Sequence, residues 1–350
     1  MKAAVVVAYN DIQYMDIPDP TINAGQVKVS VKHCGICGSD IPRVLKGTVH
    51  SFPQVLGHEF SGIVTEIGNG VSSVAVGDHV VGVPLVPCHE CEDCQKGNYS
   101  LCKQYSFVGS RQQGAMAEYV VIPEQNVFKI DNIIPLDLAA LFEPSTVALH
   151  GILINSFHPA PTDHVLVIGA GTIALFTLQW CKILGAKSIT AIIRNKGRKD
   201  IVLKYGANKV FSSLDNSFEK EAMEATDNRG FDYVLDAAGT PETIKMAIRL
   251  AANKSHVCLI GTPTRPIEFS VKEWETINRR EMILTGSWMS YSSPFPGEEW
   301  RKTAECMADG RLMLDEDMIY THFPLSKVKE AFALYESNAS SVKGRIMLDI

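Results

Sequence analysis

A short apolar strand runs directly into a glycine turn and a helix-forming segment at Val165–Ala174, VLVIGAGTIA. Gly169 permits the tight turn, Gly171 lets a backbone approach a pyrophosphate, and Ala174 is small enough for close packing of helix on strand. Amide groups at the start of the helix favour bound phosphate. The motif predicts a dinucleotide site. Its candidate contacts are Gly169, Gly171, Thr172, Ile173 and Ala174.

Strands alternate with helix-length segments from about His150 onward, which is typical of a parallel sheet wrapped by helices. The predicted fold class is therefore α/β, with a Rossmann doubly wound parallel sheet. From Met1 to about Glu143, short Val and Ile runs and many turn residues indicate a separate β-rich domain.

The chain after Gly286 becomes irregular, and then predicts a helix near Ser326–Ser337 and a closing strand, GRIMLDI. If this tail packs on the β-rich domain, that domain comprises 1–148 and 289–350, and the Rossmann domain comprises 149–288. Such an arrangement predicts a cleft between the domains for substrate and cofactor.

The formal net charge of −6 argues against nucleic acid as a partner, because nucleic-acid binders usually carry a basic face. The first apolar run is interrupted at Tyr9, Asn10 and Asp11, too early for a membrane span or a signal peptide. We therefore expect a cytoplasmic protein without a membrane partner. Its nine cysteines would be kept mostly as thiols, so clustered ones indicate a metal.

The second strand of the Rossmann domain ends at Ile193 without the carboxylate that usually contacts the adenosine ribose of NAD. Arg194, Lys196 and Arg198 follow instead, which favours NADP or the use of both NADP and NAD. The alternative is a solvated basic turn at the start of a surface helix. Candidate contacts here are Ile193, Arg194 and Arg198.

Four cysteines lie within fifteen residues, at Cys88, Cys91, Cys94 and Cys102. Four thiolates complete the tetrahedral shell of a zinc ion, so the spacing predicts a closed, structural zinc site. Disulfides are the alternative, but two bridges in so short a loop would be strained.

A second set of possible ligands is dispersed along the chain: Cys37 in CGICGSD, His58 and Glu59 in LGHEFSG, and Glu143 in FEPSTVALH. A thiolate, an imidazole and a carboxylate leave zinc an open position, which Lewis-acid catalysis requires. Singly, each residue has an ordinary structural role, and spacing alone does not join them.

The motifs GHEFSGIV, EYVV, EPSTVALH and VIGAGTIA, with the cysteine-rich loop, resemble the zinc-containing medium-chain dehydrogenase family on its polyol branch. The resemblance covers nearly the whole chain and implies a GroES-like catalytic domain and two zinc ions per chain. It also implies that Cys37, His58 and Glu143 carry the catalytic zinc, with Glu59 beside it as an alternate ligand.

The same resemblance assigns Ser39 as the hydroxyl that relays the substrate proton, and Asp40 as the acid behind the metal ligands. The relay histidine found in some alcohol dehydrogenases is replaced by Pro42. A water molecule that contacts Glu143 or Glu59 is our expected substitute.

The segments CGSDIPRVLKGTVH and GSWMSYSSPFPGEEW resemble the members of this branch that act on polyol phosphates such as galactitol 1-phosphate or arabinitol phosphate. The implied reaction passes a hydride from a secondary hydroxyl to NAD or NADP and yields a keto-sugar phosphate. The candidate substrate residues are Arg43, Lys46, His50, Arg111, Trp288 and Tyr291, with Ser292, Ser293 and Trp300 nearby. Surface charge and core packing are their alternative roles.

Two other functions stay open. One is oxidation of a free polyol or small diol, of the sorbitol, threonine or butanediol type. The other is a dinucleotide-binding zinc protein without catalysis, although all four catalytic positions are present. The family resemblance also predicts a homodimer or homotetramer, formed partly through the sheet edge of the Rossmann domain.

Overall fold

A computed structural model describes residues 1–338 and 342–350, and within it the chain divides into two units. The first unit comprises Met1–Glu143, Tyr291–Gly310 and Leu314–Ile350, and the second comprises Pro144–Ser290 and Arg311–Met313. The domain boundaries drawn from the sequence, at 148/149 and 288/289, stay a prediction about folding domains. Residues 339–341 of the predicted 289–350 segment lie outside the described residues.

The strands, in chain order, are β1 (Lys2–Ala8), β2 (Asp11–Asp16), β3 (Gln26–Gly35), β4 (Gln54–Val55), β5 (Glu59–Ile67), β6 (His79–Gly82), β7 (Leu85–Val86), β8 (Ser106–Phe107), β9 (Tyr119–Pro123), β10 (Val127–Lys129), β11 (His164–Ile168), β12 (Ser188–Ile193), β13 (Lys209–Ser212), β14 (Phe231–Asp236), β15 (Ala251–Leu259), β16 (Ile283–Gly286), β17 (Ile319–Pro324) and β18 (Arg345–Asp349).

The helices are α1 (Asp40–Leu45), α2 (Glu92–Gln95), α3 (Leu136–Ala139), α4 (Phe142–Leu153), α5 (Thr172–Ile183), α6 (Lys199–Lys204), α7 (Phe218–Glu224), α8 (Pro241–Leu250), α9 (Val271–Arg279), α10 (Glu298–Ala308) and α11 (Val328–Asn338). The last of these begins two residues later than the sequence predicts, because the chain at Leu325–Lys327 first forms a 3-10 turn.

The second unit is built on a parallel sheet of order β13-β12-β11-β14-β15-β16. Four consecutive side chains of β11 are buried, Val165–Ile168, as expected for a strand covered on both faces. Its core also contains Phe231, Val234 and Val257. The strand order is that of a doubly wound sheet in which the direction of winding reverses between β11 and β14. The predicted Rossmann fold is confirmed.

The first unit is built on a sheet of order β10-β6-β5-β3-β18-β17, with β9 also paired to β3. Side chains alternate along β3, and Val27, Val29 and Val31 point into the core. The closing strand β18 pairs antiparallel with β3 and parallel with β17. The end of the chain therefore lies beside the strand that leads to Cys37.

One segment, Leu136–Leu153, is long and apolar enough to cross a membrane by length and composition alone, and 72% of it is buried in the fold. It is divided into α3 and α4. Such burial is what the core helix of a folded protein shows, so the segment carries no indication of a membrane.

Candidate metal centres and dinucleotide site

The four clustered cysteines converge in a short loop of the first unit, where their sulfur atoms all lie within 4.8 Å of one another. The Cys88 sulfur lies 3.5 Å from that of Cys102 and 3.9 Å from that of Cys94. Two thiolates on one tetrahedral zinc ion are about 3.8 Å apart, whereas disulfide sulfurs are about 2.05 Å apart. The spacing thus fits a shared metal ion rather than disulfides.

Backbone groups of this loop favour thiolates. The backbone N–H of Cys91 donates to the Cys88 sulfur at 3.3 Å, and that of Cys88 donates to the Cys102 sulfur at 3.4 Å. Hydrogen bonding by the Cys94 backbone lowers the pKa of Cys91 to about 6, although burial raises the pKa of Cys94 to about 12. A bound cation would favour the ionised form of all four, so the donor set fits zinc.

A second group brings together Cys37, His58 and Glu59, whose ligand atoms also lie within 4.8 Å of one another. Sheet register explains the grouping, because Gly35 at the end of β3 pairs with Glu59 at the start of β5. A Cβ atom at Gly35 would lie 2.8 Å from the Glu59 carboxylate, so the close approach of the two strands requires glycine there. Neighbouring strands thus join ligands that are distant in sequence.

Glu143, at the start of α4, was expected to be the third ligand, but it does not belong to this 4.8 Å group. The charges of Glu59 and His58 nevertheless affect the pKa of Glu143. Burial, and after it the negative charge of Glu59, raises the pKa of Glu143 to about 7, while His58 and Arg345 lower it. The structure therefore offers the site two buried carboxylates, of which Glu59 is the one grouped with Cys37 and His58.

Asp40, the first residue of α1, is fully buried and contacts both Cys37 and His58. Its Oδ2 accepts the backbone N–H of Cys37 at 3.1 Å, and its Oδ1 lies 3.7 Å from His58 Nδ1. Arg43, one turn along α1, donates to the same Oδ1 at 3.0 Å. Asp40 thereby holds the Cys37 loop in place and faces the imidazole.

Ser39 is exposed and lies directly beside Cys37. Its hydroxyl donates to the Cys37 sulfur at 3.4 Å and accepts from Arg43 Nη1 at 2.9 Å. Arg43 was expected to bind a substrate phosphate. In the structure its Nη1 donates to Ser39 and Asp40, and phosphate binding by Arg43 stays a prediction.

Arg345, on β18, is a residue of this site that sequence reasoning missed. Its Nε lies 2.8 Å from Glu59 Oε2, as an ion pair without the alignment of a hydrogen bond, and its Nη1 donates to the Ile36 carbonyl at 3.1 Å. The side chains of Arg345 and Glu59 are 11% and 2% exposed, so water screens the pair little. No local sequence motif predicts a role for Arg345, because only the pairing of β18 with β3 places it beside Glu59.

The Cys37 group meets the requirements of a metal site. Burial, followed by the charge of Glu59, raises the pKa of the Cys37 thiol, so a thiolate there needs a cation nearby. The His58 Nδ1 atom is buried and has no hydrogen-bond partner among the described residues. A thiol, an imidazole and a carboxylate are the ligand types of catalytic zinc sites.

The glycine turn of the second unit has the predicted form. Gly169 follows β11 with a φ of +124°, a conformation that favours glycine, and Gly171 precedes α5. A Cβ atom at Gly171 would meet no protein atom within 4 Å, so packing alone does not require glycine there. Thr172 and Ala174 are buried and Ile173 is partly buried, at the first turn of α5. The free space at Gly171 suits a closely bound pyrophosphate.

The three cations after Ile193 have different surroundings. Arg198 is 7% exposed and donates from Nη2 to the Ala170 carbonyl at 2.8 Å, so it braces the glycine turn. Lys196 is ion-paired with Asp215. Arg194 is exposed, and within residues 1–338 and 342–350 it has neither a side-chain hydrogen bond nor an ion pair. Of the three, Arg194 is the cation left available to a ligand.

The predicted substrate residues are also placed differently from one another. Tyr291 is 2% exposed, and its ring stacks on those of Phe295 and Trp300 at centroid distances of 6.0 Å. It therefore belongs to the core of the first unit. Trp288 is 53% exposed.

Three cations expected near a phosphate remain at the surface of the first unit. Lys46 and His50 are exposed, beyond the end of α1. Arg111 is exposed as well, and its guanidinium lies over the Tyr105 ring, 4.4 Å from the centroid. The structure gives no contact that joins these three side chains.

Two protein-family models match this chain, one in each of its two halves. Residues 23–132 match the family model described as alcohol dehydrogenase GroES-like domain, and residues 172–309 match that described as zinc-binding dehydrogenase. The GroES-like part of the fold prediction is thereby confirmed.

Three relatives illustrate the similarity. The chain is 38% identical over 293 residues to galactitol 1-phosphate 5-dehydrogenase of Escherichia coli (strain K12), with 83% of each chain covered. A crystal structure of galactitol-1-phosphate dehydrogenase from Escherichia coli matches over 100% of both chains with a TM-score of 0.93 and 34% identity. D-arabitol-phosphate dehydrogenase of Enterococcus avium is 31% identical over 329 residues, covering 93% of this chain and 90% of the relative.

A zinc-binding dehydrogenase structure from Sinorhizobium meliloti 1021, bound to NADP, has a TM-score of 0.90 and 26% identity, covering 100% of this chain and 99% of that one. The chain therefore belongs to the zinc-binding dehydrogenases with a GroES-like domain, and it is an oxidoreductase of their alcohol and polyol dehydrogenase kind.

Proposed function

We propose that this protein oxidises a secondary hydroxyl of a polyol phosphate, galactitol 1-phosphate or a similar compound, and passes the hydride to a nicotinamide dinucleotide. The observation that carries the proposal is the group formed by Cys37, His58 and Glu59 within 4.8 Å, with Ser39 directly beside it. Cys37 and His58, together with one of the two carboxylates Glu59 and Glu143, would hold a catalytic zinc.

Zinc in this position would supply a Lewis acid that lowers the pKa of a substrate hydroxyl. The residues of the chain would handle the proton. A hydroxyl oxygen has two acceptor positions, and in Ser39 one is filled by Arg43 at 2.9 Å. The second is left to accept a hydrogen bond from the substrate hydroxyl. Arg43 would orient the Ser39 hydroxyl. Its positive charge would also disfavour a state in which the Ser39 oxygen carries two protons.

The single hydroxyl proton of Ser39 is donated to the Cys37 sulfur, so it would have to turn to another acceptor as Ser39 takes the proton of the substrate. Pro42 stands where some alcohol dehydrogenases have a histidine acceptor. We propose that Glu143 serves through a water molecule. Glu143 is buried and lies outside the 4.8 Å group of Cys37, His58 and Glu59, and its ionised carboxylate would act as the general base. Glu59 is less suited to this role because its carboxylate is already ion-paired with Arg345, 2.8 Å away.

We propose that Cys88, Cys91, Cys94 and Cys102 hold a second, structural zinc. Four thiols close the coordination shell and leave no position for a substrate. Their sulfur separations of 3.5 and 3.9 Å support this assignment. The metal would supply much of the folding energy of a loop that has few apolar residues.

The cofactor is NADP or NAD, with NADP use supported by Arg194. This residue is exposed and unpaired among the described residues, just after the end of β12, where a ribose phosphate would lie. The absence of a carboxylate after Ile193 supports the same proposal. Arg198 would act indirectly, through the glycine turn that it braces.

Oxidation of a free polyol is the second candidate, and one observation favours it. One guanidinium nitrogen of Arg43, which the sequence suggests as a phosphate ligand, already donates to Ser39 and Asp40. Phosphate recognition would then depend on Lys46, His50 and Arg111, all of which are exposed. The named relatives that act on galactitol 1-phosphate and arabitol phosphate support the phosphorylated substrate instead.

The deciding experiment measures kcat/KM for galactitol 1-phosphate and arabitol phosphate and for the two free polyols, each with NAD and with NADP. We expect a phosphorylated substrate to be preferred by about tenfold or more, equivalent to about 1.4 kcal/mol of transition-state binding. Equal or higher values for the free polyols would replace the phosphate proposal with the second candidate. A zinc-loaded protein without turnover on any alcohol would favour a non-catalytic dinucleotide-binding role.

We also propose a homo-oligomer that pairs through β16, the strand at one edge of the Rossmann sheet. Ile283 and Leu284 on this strand are 51% and 43% exposed, and Val271 and Trp274 on α9 are 78% and 54% exposed. An exposed apolar strand edge is a natural pairing surface. Light scattering should give a dimer or tetramer for the wild type and a smaller species for Leu284→Lys. A monomeric wild type would contradict the proposal.

A further inference from the structure

Two histidines and one aspartate meet on three neighbouring strands of the first unit, away from the cysteine loop. His33 lies on β3, Asp349 on β18 and His322 on β17. His33 and Asp349 are directly paired in the antiparallel register of β3 and β18. We propose that these three side chains form a third metal site, for a divalent transition metal ion.

The three side chains converge on one point. Asp349 Oδ1 lies 3.0 Å from His33 Nδ1 and 2.8 Å from His322 Nδ1, and one ligand atom of each residue lies within 4.8 Å of the others. Two ligands bound at right angles to one ion at about 2.1 Å are about 3.0 Å apart. The two contacts of Asp349 are hydrogen bonds in the structure, and their lengths match the distance between neighbouring positions of an octahedral shell. An ion would replace these hydrogen bonds with metal–ligand bonds.

The sheet holds this arrangement in place. The backbones of β3, β18 and β17 are hydrogen-bonded side by side, so the positions from which the three side chains extend are set by strand register. Cys34, the next residue after His33, is fully buried. Successive side chains of a strand point to opposite faces, so His33 lies on the face away from Cys34.

The carboxylate of Asp349 lacks a permanently charged partner. Among residues 1–338 and 342–350 it is hydrogen-bonded to His33 and His322, and it forms no ion pair with a lysine or arginine. Neutral imidazoles leave its negative charge uncompensated. A divalent cation would compensate it while both imidazoles act as ligands.

Partial exposure makes the site accessible to ions from solution. The side chains of His33, His322 and Asp349 are 25%, 38% and 42% exposed. An ion held on one side by three protein ligands would complete its shell with water. Two imidazoles and one carboxylate on one face of an octahedron suit Fe²⁺, Co²⁺, Ni²⁺ and Zn²⁺ better than Ca²⁺ or Mg²⁺.

An ion here would link the three strands to one another. Because β17 is the edge strand of its sheet, it has one strand neighbour, β18. The site exists only when the sheet is formed, so a bound ion stabilises the folded state. We therefore expect the ion to raise the Tm of the zinc-loaded protein.

Nickel is the probe for the test, because it favours octahedral coordination by nitrogen and oxygen and leaves the thiolate sites to zinc. Zinc-loaded protein without a histidine tag is dialysed against Ni²⁺, and nickel and zinc are both counted per chain. His322→Ala removes one ligand from a partly exposed position. His158→Ala is the matched control, because His158 is an exposed histidine of the second unit.

We expect the wild type and His158→Ala to bind one nickel ion per chain that His322→Ala lacks, with an unchanged zinc count and a raised Tm. Asp349→Asn should weaken nickel binding by about tenfold or more, since loss of even an outer partner of a metal ligand costs about 10–100-fold. If His322→Ala does not fold, Asp349→Asn takes its place as the variant compared with the wild type. Equal nickel binding by wild type and either site variant, or nickel gained only as zinc is lost, would overturn the proposal.

Discussion

The guanidinium of Arg43 donates a hydrogen bond to the hydroxyl oxygen of Ser39, with 2.9 Å between Nη1 and Oγ. The two residues are one helical turn apart, with Ser39 at the N-cap of α1 and Arg43 within it. The same guanidinium nitrogen lies 3.0 Å from Asp40, which in turn faces His58. This arrangement places a positive charge beside the proposed proton relay.

Arg43→Ala should lower kcat/KM for phosphorylated and free polyols by a similar factor, about tenfold or more, because Ser39 and Asp40 both lose a hydrogen bond that orients them. Lys46→Ala is the matched control, since Lys46 is exposed beyond the end of α1. It should affect phosphorylated substrates alone or neither class. If Arg43→Ala raises the KM for polyol phosphates only, Arg43 binds the substrate phosphate instead.

When the Cys37 site is empty, Arg345→Met should destabilise the protein by about 3–5 kcal/mol, because it leaves the buried carboxylate of Glu59 without its cation. Urea unfolding measures the change. The control is Arg265→Met, which removes the partner of Glu242 in an ion pair whose two side chains are each 64% exposed. Exposed pairs contribute about 0–1 kcal/mol. Similar losses in the two variants would show that Glu59 is not held as a buried charge.

The raised pKa of Glu143 predicts how stability changes with pH when the Cys37 site is empty. The folded protein holds this proton up to about pH 7, whereas the unfolded chain releases it near the ordinary pKa of 4.5. The folded state thus binds more protons in this window, and its stability falls as pH rises from about 4.5 to 7. The loss attributable to Glu143 is at most about 3 kcal/mol.

The Glu143→Gln variant should not show the loss of stability that Glu143 causes as pH rises. Urea unfolding at pH 5 and pH 7.5 measures it, on protein that retains the zinc of the four cysteines but not that of Cys37. The stability of the wild type relative to Glu143→Gln should decline between the two pH values. Refilling the Cys37 site should abolish the decline, because a cation favours the ionised carboxylate. A difference that is independent of pH would contradict the buried, protonated Glu143.

Arg194→Ala should lower kcat/KM for NADP by about tenfold or more and change that for NAD by less than about twofold, because the guanidinium would contact only the ribose phosphate. Lys196→Ala is the control, since the Lys196 ammonium is already paired with Asp215. Steady-state kinetics with both cofactors measures the ratio. Equal effects of Arg194→Ala on both cofactors would place Arg194 outside the phosphate site.

Contiguous motifs of this chain were predictable because the geometry they need is local. The strand, glycine turn and helix around Gly169 and Gly171 follow from backbone conformation and periodicity, and the spacing Cys88, Cys91, Cys94 suits one metal ion. The alternation of strands and helices after His150 likewise identified the parallel sheet.

Long-range partners were not predictable in the same way. Arg345 reaches Glu59 only because β18 pairs with β3, and no local pattern specifies that register. Tyr291 lies in an irregular segment, where no periodicity shows which side chains are buried, and its ring joins the core. The contact of Arg43 with Ser39, one helical turn away, was not predicted, because α1 was not predicted as a helix.

The central claim is that a metal held through Cys37 and His58 carries the reaction, separately from the metal of the four cysteines. Metal content and turnover of Cys37→Ala test it most directly, on protein shown to be folded. We predict two zinc ions per chain in the wild type, and in the variant one zinc and a kcat lower by about a thousandfold or more. A Cys37→Ala protein with two zinc ions and the kcat of the wild type would contradict the claim.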